Sequence, residues 1–217
     1  MAIKDIRNAW KDSGAREGGG GMKAGGGAVF IDRDGTLIDD VPYNIDPRKV
    51  KLAEDAGPAL LRMKKAGFRL IVVSNQSGIA RGWFEESDLL PVNREIQALL
   101  APHGVEIDAF YYCPHGPDDH CACRKPTPGM ILHAANEQGI DCMRSWVIGD
   151  TLNDVEAGNR AGCGTIHLDN GNETEWKTGS LRQPLYSVRA LQEAADIVCG
   201  APERLLMQFR VATPVMC

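Results

Sequence analysis

The sequence has little that would take it to a membrane or to nucleic acid. Its 217 residues contain no apolar run near the roughly 18 residues that a membrane-spanning helix needs. Aromatic residues make up 6% of the chain and the formal net charge is -5. Neither a stacking stripe nor bulk positive charge is therefore available for a polynucleotide. The first ten residues hold Lys4, Asp5 and Arg7 where a signal peptide places its apolar core, so a cytoplasmic location is expected. The expected mode of action is a monomer working on a small molecule, with no nucleic-acid or membrane partner. An anionic substrate would need a local basic site. The chain has seven cysteines, but it is neither short nor secreted in character, so a disulfide framework is not expected.

What is present begins with glycine. Gly18 to Gly21 and Gly25 to Gly27 form two runs that read as linker. Residues 1–27 are expected to be a flexible extension, although Ile3, Ile6 and Trp10 fall at helical spacing. Residues 28–209 are expected to form the folded domain, and 210–217 a tail.

From residue 28 the pattern is strand, loop and helix, repeated. Strands are expected at Ala28–Ile31, Arg69–Val73, Asp108–Tyr112, Trp146–Ile148 and Thr165–Leu168. Helices are expected around Leu60, over 85–101 with a bend at Pro91, from Thr127-Pro128 to Gly139, and from about Val155 to Gly162. Alternation of this kind predicts an α/β fold, a three-layer Rossmann-like parallel sheet with helices on both faces. Ligands in such folds sit beyond the carboxyl ends of the strands. Asp32, Ser74 and Asp150 all fall there.

Asp32-Arg33-Asp34-Gly35-Thr36 follows the first strand. In extended chain, residues two apart face the same side, so Asp32 and Asp34 can share a pocket. Two carboxylates repel each other and call for a cation, and Mg2+ suits oxygen ligands of this kind. One aspartate can attack phosphorus, and the other can move the proton of the leaving group and then of water. Taken alone, a DxDG is as often a surface turn. Ser74 and Asn75, at the end of the second strand, can hold phosphate oxygens. Lys125 can neutralise the aspartates and the transferring group. Asp150 completes the Mg2+ set of Asp32, Asp34 and Asp150, and Asp154 can brace it from the next helix.

Cys113, His115, Cys121 and Cys123 place three thiols and an imidazole within eleven residues. They can close a tetrahedral Zn2+ site with no open position, hence a structural one. His120 competes as the imidazole; His115 is preferred because it forms a short chelate with Cys113. The loop then delivers Arg124 and Lys125.

At Asp32-x-Asp34-Gly35-Thr36, Ser74, Lys125 and Gly149-Asp150-x-x-x-Asp154 the chain resembles the haloacid-dehalogenase (HAD) superfamily of phosphatases over residues 28–199. The resemblance implies Asp32 as nucleophile, Asp34 as acid and base, Lys125 as catalytic cation, and a minimal cap carrying the zinc-binding loop. Two zinc-loop branches stay open, heptose bisphosphate phosphatases and histidinol-phosphatases. Ser74 to Gly82 and Asp39 to Tyr43 look like the heptose branch. By position that resemblance implies Tyr43, Asn75, Arg124 and Lys125 as contacts to a small phosphorylated sugar. Thr151 stands where that branch often has lysine.

Overall fold

A computed structural model describes residues 26–200, except 175 and 178. Ile3, Ile6, Trp10, the first glycine run and the 210–217 tail lie outside the described residues.

Six parallel strands form one sheet: β1 (Ala28–Ile31), β2 (Arg69–Asn75), β3 (Ala109–Cys113), β4 (Trp146–Gly149), β5 (Gly164–Leu168) and β6 (Tyr186–Val188), in the order β3-β2-β1-β4-β5-β6. Successive residues face opposite sides of the sheet, and both sides are buried. Val29, Ile31, Leu70, Val72, Trp146 and Ile148 pack into one core with α1 (Ala56–Lys65), α2 (Leu89–Leu100) and α5 (Leu191–Gly200). Phe30, Ile71, Val73 and Val147 pack into the other with α3 (Gly129–Gln138) and α4 (Leu152–Ala161). This is the expected three-layer fold, and no separate cap domain stands over it among the described residues.

The boundaries move for local reasons. Gly26 and Gly27, read above as linker, are already structured: Gly26 bridges to Ile140, and Gly27 accepts from the Arg69 amide at 3.2 Å. A Cβ on Gly27 would lie 2.2 Å from the Arg144 carbonyl oxygen, so glycine is needed for close approach rather than for mobility. Pro91 lies in the first turn of α2, where its missing N–H costs no helical bond. Thr127 does not cap α3. Its hydroxyl donates at 2.6 Å to the carbonyls of Ala122 and Arg124, and Pro128 takes the cap position. β6 and α5 had no counterpart in the sequence reading.

The strand order reverses direction at the β1–β4 pair, which opens the crevice where such folds bind ligands. The Asp32 amide donates to the Ile148 carbonyl at 2.9 Å and closes the floor of that crevice.

Candidate active site and zinc loop

The first strand delivers Asp32 into the crevice and Gly35 turns the chain away with φ 81°. A Cβ at Gly35 would fall 2.2 Å from Asp150 Oδ2, so the turn also needs glycine for space. The fourth strand delivers Asp150 from the opposite side of the crevice. Its Oδ1 accepts from the Thr36 hydroxyl at 3.3 Å and its Oδ2 from the Asn172 amide at 2.8 Å.

Lys125 enters from the loop before α3 and is 4% exposed. Its ammonium lies 2.5 Å from Asp32 Oδ1, 2.5 Å from Asp154 Oδ1 and 2.9 Å from the Val73 carbonyl. Two directed hydrogen bonds, to Asp32 and the Val73 carbonyl, and one ion pair, to Asp154, thus surround the ammonium. Asp154 is held in turn by Thr151, whose hydroxyl and amide donate to Oδ2 at 2.6 and 3.2 Å. This capping box at the start of α4 gives the residue at the departing position a structural task. The contact of Asp154 Oδ1 with Lys125 is an ion pair without a directed hydrogen bond.

Asp34 faces elsewhere. Its carboxylate takes the guanidinium of Arg33, with Nη2 to Oδ2 at 2.9 Å, and the amide of buried Gln76 at 2.9 Å. Gln76 also donates to the Ser74 hydroxyl at 2.7 Å, and that hydroxyl is 3.5 Å from Asp34 Oδ2. Ser74 and Asp34 are therefore brought together. The Asp34 carboxylate is not part of the close carboxylate group, which is Asp32, Asp150 and Asp154.

The ligand-bearing oxygens of that group lie within 4.8 Å of one another. Burial pushes the Asp32 carboxyl well up, against the pull of Lys125, and Asp154, Asp150 and Asp34 add to the rise. Burial, then Asp154, raises Asp150 to about 6. Burial works against the charge on Lys125, but Asp154 and Asp32 outweigh it and hold the ammonium protonated. Three buried carboxylates against one ammonium leave a local excess of negative charge. A hard, oxygen-seeking dication removes it, so the donor set fits Mg2+.

The sulfur and nitrogen cluster is equally telling. Cys113 Sγ is 3.3 Å from Cys123 Sγ and 3.6 Å from Cys121 Sγ, and His115 Nδ1 is 3.5 Å from Cys113 Sγ and 3.3 Å from Cys123 Sγ. A tetrahedral Zn2+ with bonds of about 2.3 Å to sulfur separates its ligands by about 3.6–3.8 Å. The four ligand atoms thus have nearly the spacing of a filled site. Hydrogen bonding from Cys113 lowers the Cys123 thiol to about 5, so the cluster already favours a thiolate. His120 is not in this group.

The family model for HAD-like hydrolases matches residues 122–194. A D-glycero-beta-D-manno-heptose-1,7-bisphosphate 7-phosphatase of Photorhabdus laumondii is 42% identical over 151 residues, covering 66% of this chain and 80% of the relative. The Escherichia coli protein of that name is 35% identical over 185 residues, 78% of this chain and 97% of the relative. The chain belongs to this family of HAD phosphatases. The structure of a D,D-heptose 1,7-bisphosphate phosphatase from B. bronchiseptica, complexed with magnesium and phosphate, superimposes with a TM-score of 0.70 at 31% identity, covering 84% of this chain and 99% of that one.

Within that family frame, several expected substrate contacts have other partners. The side chain of Asn75 is taken up by the backbone of Lys125, with Nδ2 donating to the carbonyl and Oδ1 accepting from the amide, both at 3.1 Å. Arg124 Nη1 donates to the His115 carbonyl at 3.2 Å, so it stitches the zinc loop. Tyr43 is 45% exposed at φ 55°, edge-on to Trp83 at 4.4 Å, and Arg81 lies 5.1 Å over the Trp83 ring. Sequence reasoning missed Arg33, Gln76 and Asn172. Arg33 and Gln76 flank motif residues, but their burial is a tertiary fact. Asn172 sits in a loop with no motif.

Proposed function

We propose that this protein removes the C7 phosphate of D-glycero-D-manno-heptose 1,7-bisphosphate in the cytoplasm, as a monomer, on the route to heptose precursors of lipopolysaccharide. One observation carries this reading: Asp32, Lys125 and Asp154 form a buried chain opposite Asp150, in a chain matching 97% of the Escherichia coli 7-phosphatase at 35% identity.

Asp32 attacks phosphorus, and the bond from phosphorus to the C7 oxygen breaks. Asp34, turned from Arg33 toward the substrate and protonated, gives its proton to that oxygen, and the heptose 1-phosphate departs. Asp34 then takes a proton from water, whose oxygen attacks the phosphorus of the Asp32 acyl phosphate. Inorganic phosphate leaves and Asp32 is restored. Lys125 and Ser74 hold the equatorial oxygens in both half-reactions. Asp32 and Asp150 would hold Mg2+, which supplies positive charge against the phosphate oxygens. With its carboxylate turned to Arg33 and Gln76, Asp34 stands outside the carboxylate group that would hold the metal. Asp154 serves as the brace of Lys125. Zn2+ would be held by Cys113, His115, Cys121 and Cys123 as a structural ion.

Of the candidate contacts, Tyr43 with its neighbouring Trp83 offers an exposed aromatic wall for the sugar, and Arg124 is the candidate cation for the far phosphate. Asn75 acts instead by positioning Lys125. A panel of heptose 1,7-bisphosphate (both anomers), fructose 1,6-bisphosphate and histidinol phosphate tests the reading. The expected result is the highest kcat/KM on heptose bisphosphate with release of the C7 phosphate. Preference for histidinol phosphate would overturn it.

A further inference from the structure

The Asp150 carboxylate is held at both oxygens, and only one of its two partners belongs to a motif. Thr36 comes from the first motif. Asn172 comes from the loop after β5 and donates from Nδ2 to Asp150 Oδ2 at 2.8 Å. That loop is tied down on both sides of the crevice. Asn170 Nδ2 donates to the Gly35 carbonyl at 2.6 Å, and Asn170 Oδ1 accepts from the Asn172 backbone N–H at 3.2 Å. Glu173 Oε2 accepts from the Leu152 amide at 2.7 Å, at the start of α4. Gly171, with φ 90°, makes the turn that lets residues 170 and 172 reach inward together. A Cβ at Gly35 would lie 2.6 Å from Asn172 Nδ2 and 2.2 Å from Asp150 Oδ2, so the first motif leaves room for this contact.

We infer that Asn172 is a positioning residue for the metal site: the loop at 169–173 straps the first and fourth motifs together, and the Asn172 amide fixes the rotation of the Asp150 carboxylate. The choice of an amide matters chemically. A lysine or arginine would satisfy Oδ2 but cancel the charge that attracts the cation. A neutral donor orients the carboxylate and leaves its charge for the metal. The inference rests on the proposed Mg2+ site of Asp32 and Asp150.

The test is calorimetric titration of Mg2+ into the zinc-loaded wild type and the Asn172→Ala, Asn172→Ser and Asp150→Ala variants, with melting temperatures taken without Mg2+. Loss of an outer partner of a metal ligand typically weakens binding about 10-fold or more. The expected result is Mg2+ affinity lowered about 10-fold in both Asn172 variants, melting temperature unmoved, and a kcat/KM deficit that shrinks as Mg2+ is raised. Affinity within about twofold of wild type would overturn the inference, as would weakening matched by a fall in melting temperature. If either Asn172 variant fails to fold, the other decides. If Asp150→Ala binds Mg2+ as the wild type does, the proposed metal site itself falls, a result distinct from an unchanged Asn172 variant.

Discussion

At the scale of single residues, charge compensation decides the site. Each buried ion costs several kcal/mol to desolvate, and a buried pair survives only when its remaining hydrogen-bonding groups are also met. Lys125 meets this condition with Asp32, Asp154 and the Val73 carbonyl. Asp150 has two neutral donors and no ion pair among the described residues, and its carboxyl rises to about 6 because burial and Asp154 disfavour its charge. The sign follows directly. A raised carboxyl favours folding while protonated, so its contribution fades as pH climbs from the ordinary carboxylate range through about 6. Mg2+ binds the ionised form and reverses that loss. The rise in melting temperature on adding Mg2+ should therefore be larger at about pH 7.5 than at about pH 5.5. An equal rise at both, measured by scanning calorimetry, would show that Asp150 does not hold the cation.

At the scale of elements, the zinc loop links structure to chemistry. β3 runs through to Cys113, which pairs in register with Asn75 on β2. Asn75 then grips the backbone of Lys125, two residues past Cys123. Loosening the loop should therefore displace the ammonium. The first apolar core holds none of the loop's residues, and the second meets the loop only through Cys113, Cys121 and Cys123, so most of the sheet's packing is independent of it. We predict one Zn2+ per chain by elemental analysis, and that Cys121→Ser cuts kcat at least about 10-fold while the circular dichroism spectrum stays native. Full activity in a zinc-free variant would refute the linkage. This loop also shows what was legible beforehand. The grouping of Cys113, His115, Cys121 and Cys123 could be read from residue type and spacing. The role of Asn75 could not, because an amide at a strand end is equally suited to phosphate or to backbone, and only the β2–β3 register brings it to Lys125. Thr127 failed for a related reason: it has the composition of a cap, but its hydroxyl is drawn to the Ala122 and Arg124 carbonyls.

At the scale of the whole molecule, alternating apolar runs made the parallel sheet legible, since strands buried on both faces leave little room for another pattern. β6 spans only Tyr186–Val188 with Ser187 exposed, too short to announce itself. The strap at 169–173 was invisible because its asparagines resemble any polar loop until the sheet places β5 beside β4. What the assembled fold achieves is convergence: two strand ends over a hundred residues apart bring Asp32 and Asp150 together, and the loop before α3 adds Lys125 to the same buried group. The central claim is that Asp32 carries the phosphoryl group between two half-reactions. Rapid acid quench during turnover of heptose 1,7-bisphosphate, followed by peptide mass spectrometry, tests it most directly. The account predicts a phosphorylated Asp32 in the wild type, and neither that species nor turnover in a natively folded Asp32→Asn variant. Phosphate on another residue, or Asp32→Asn retaining more than a few per cent of activity, would contradict it.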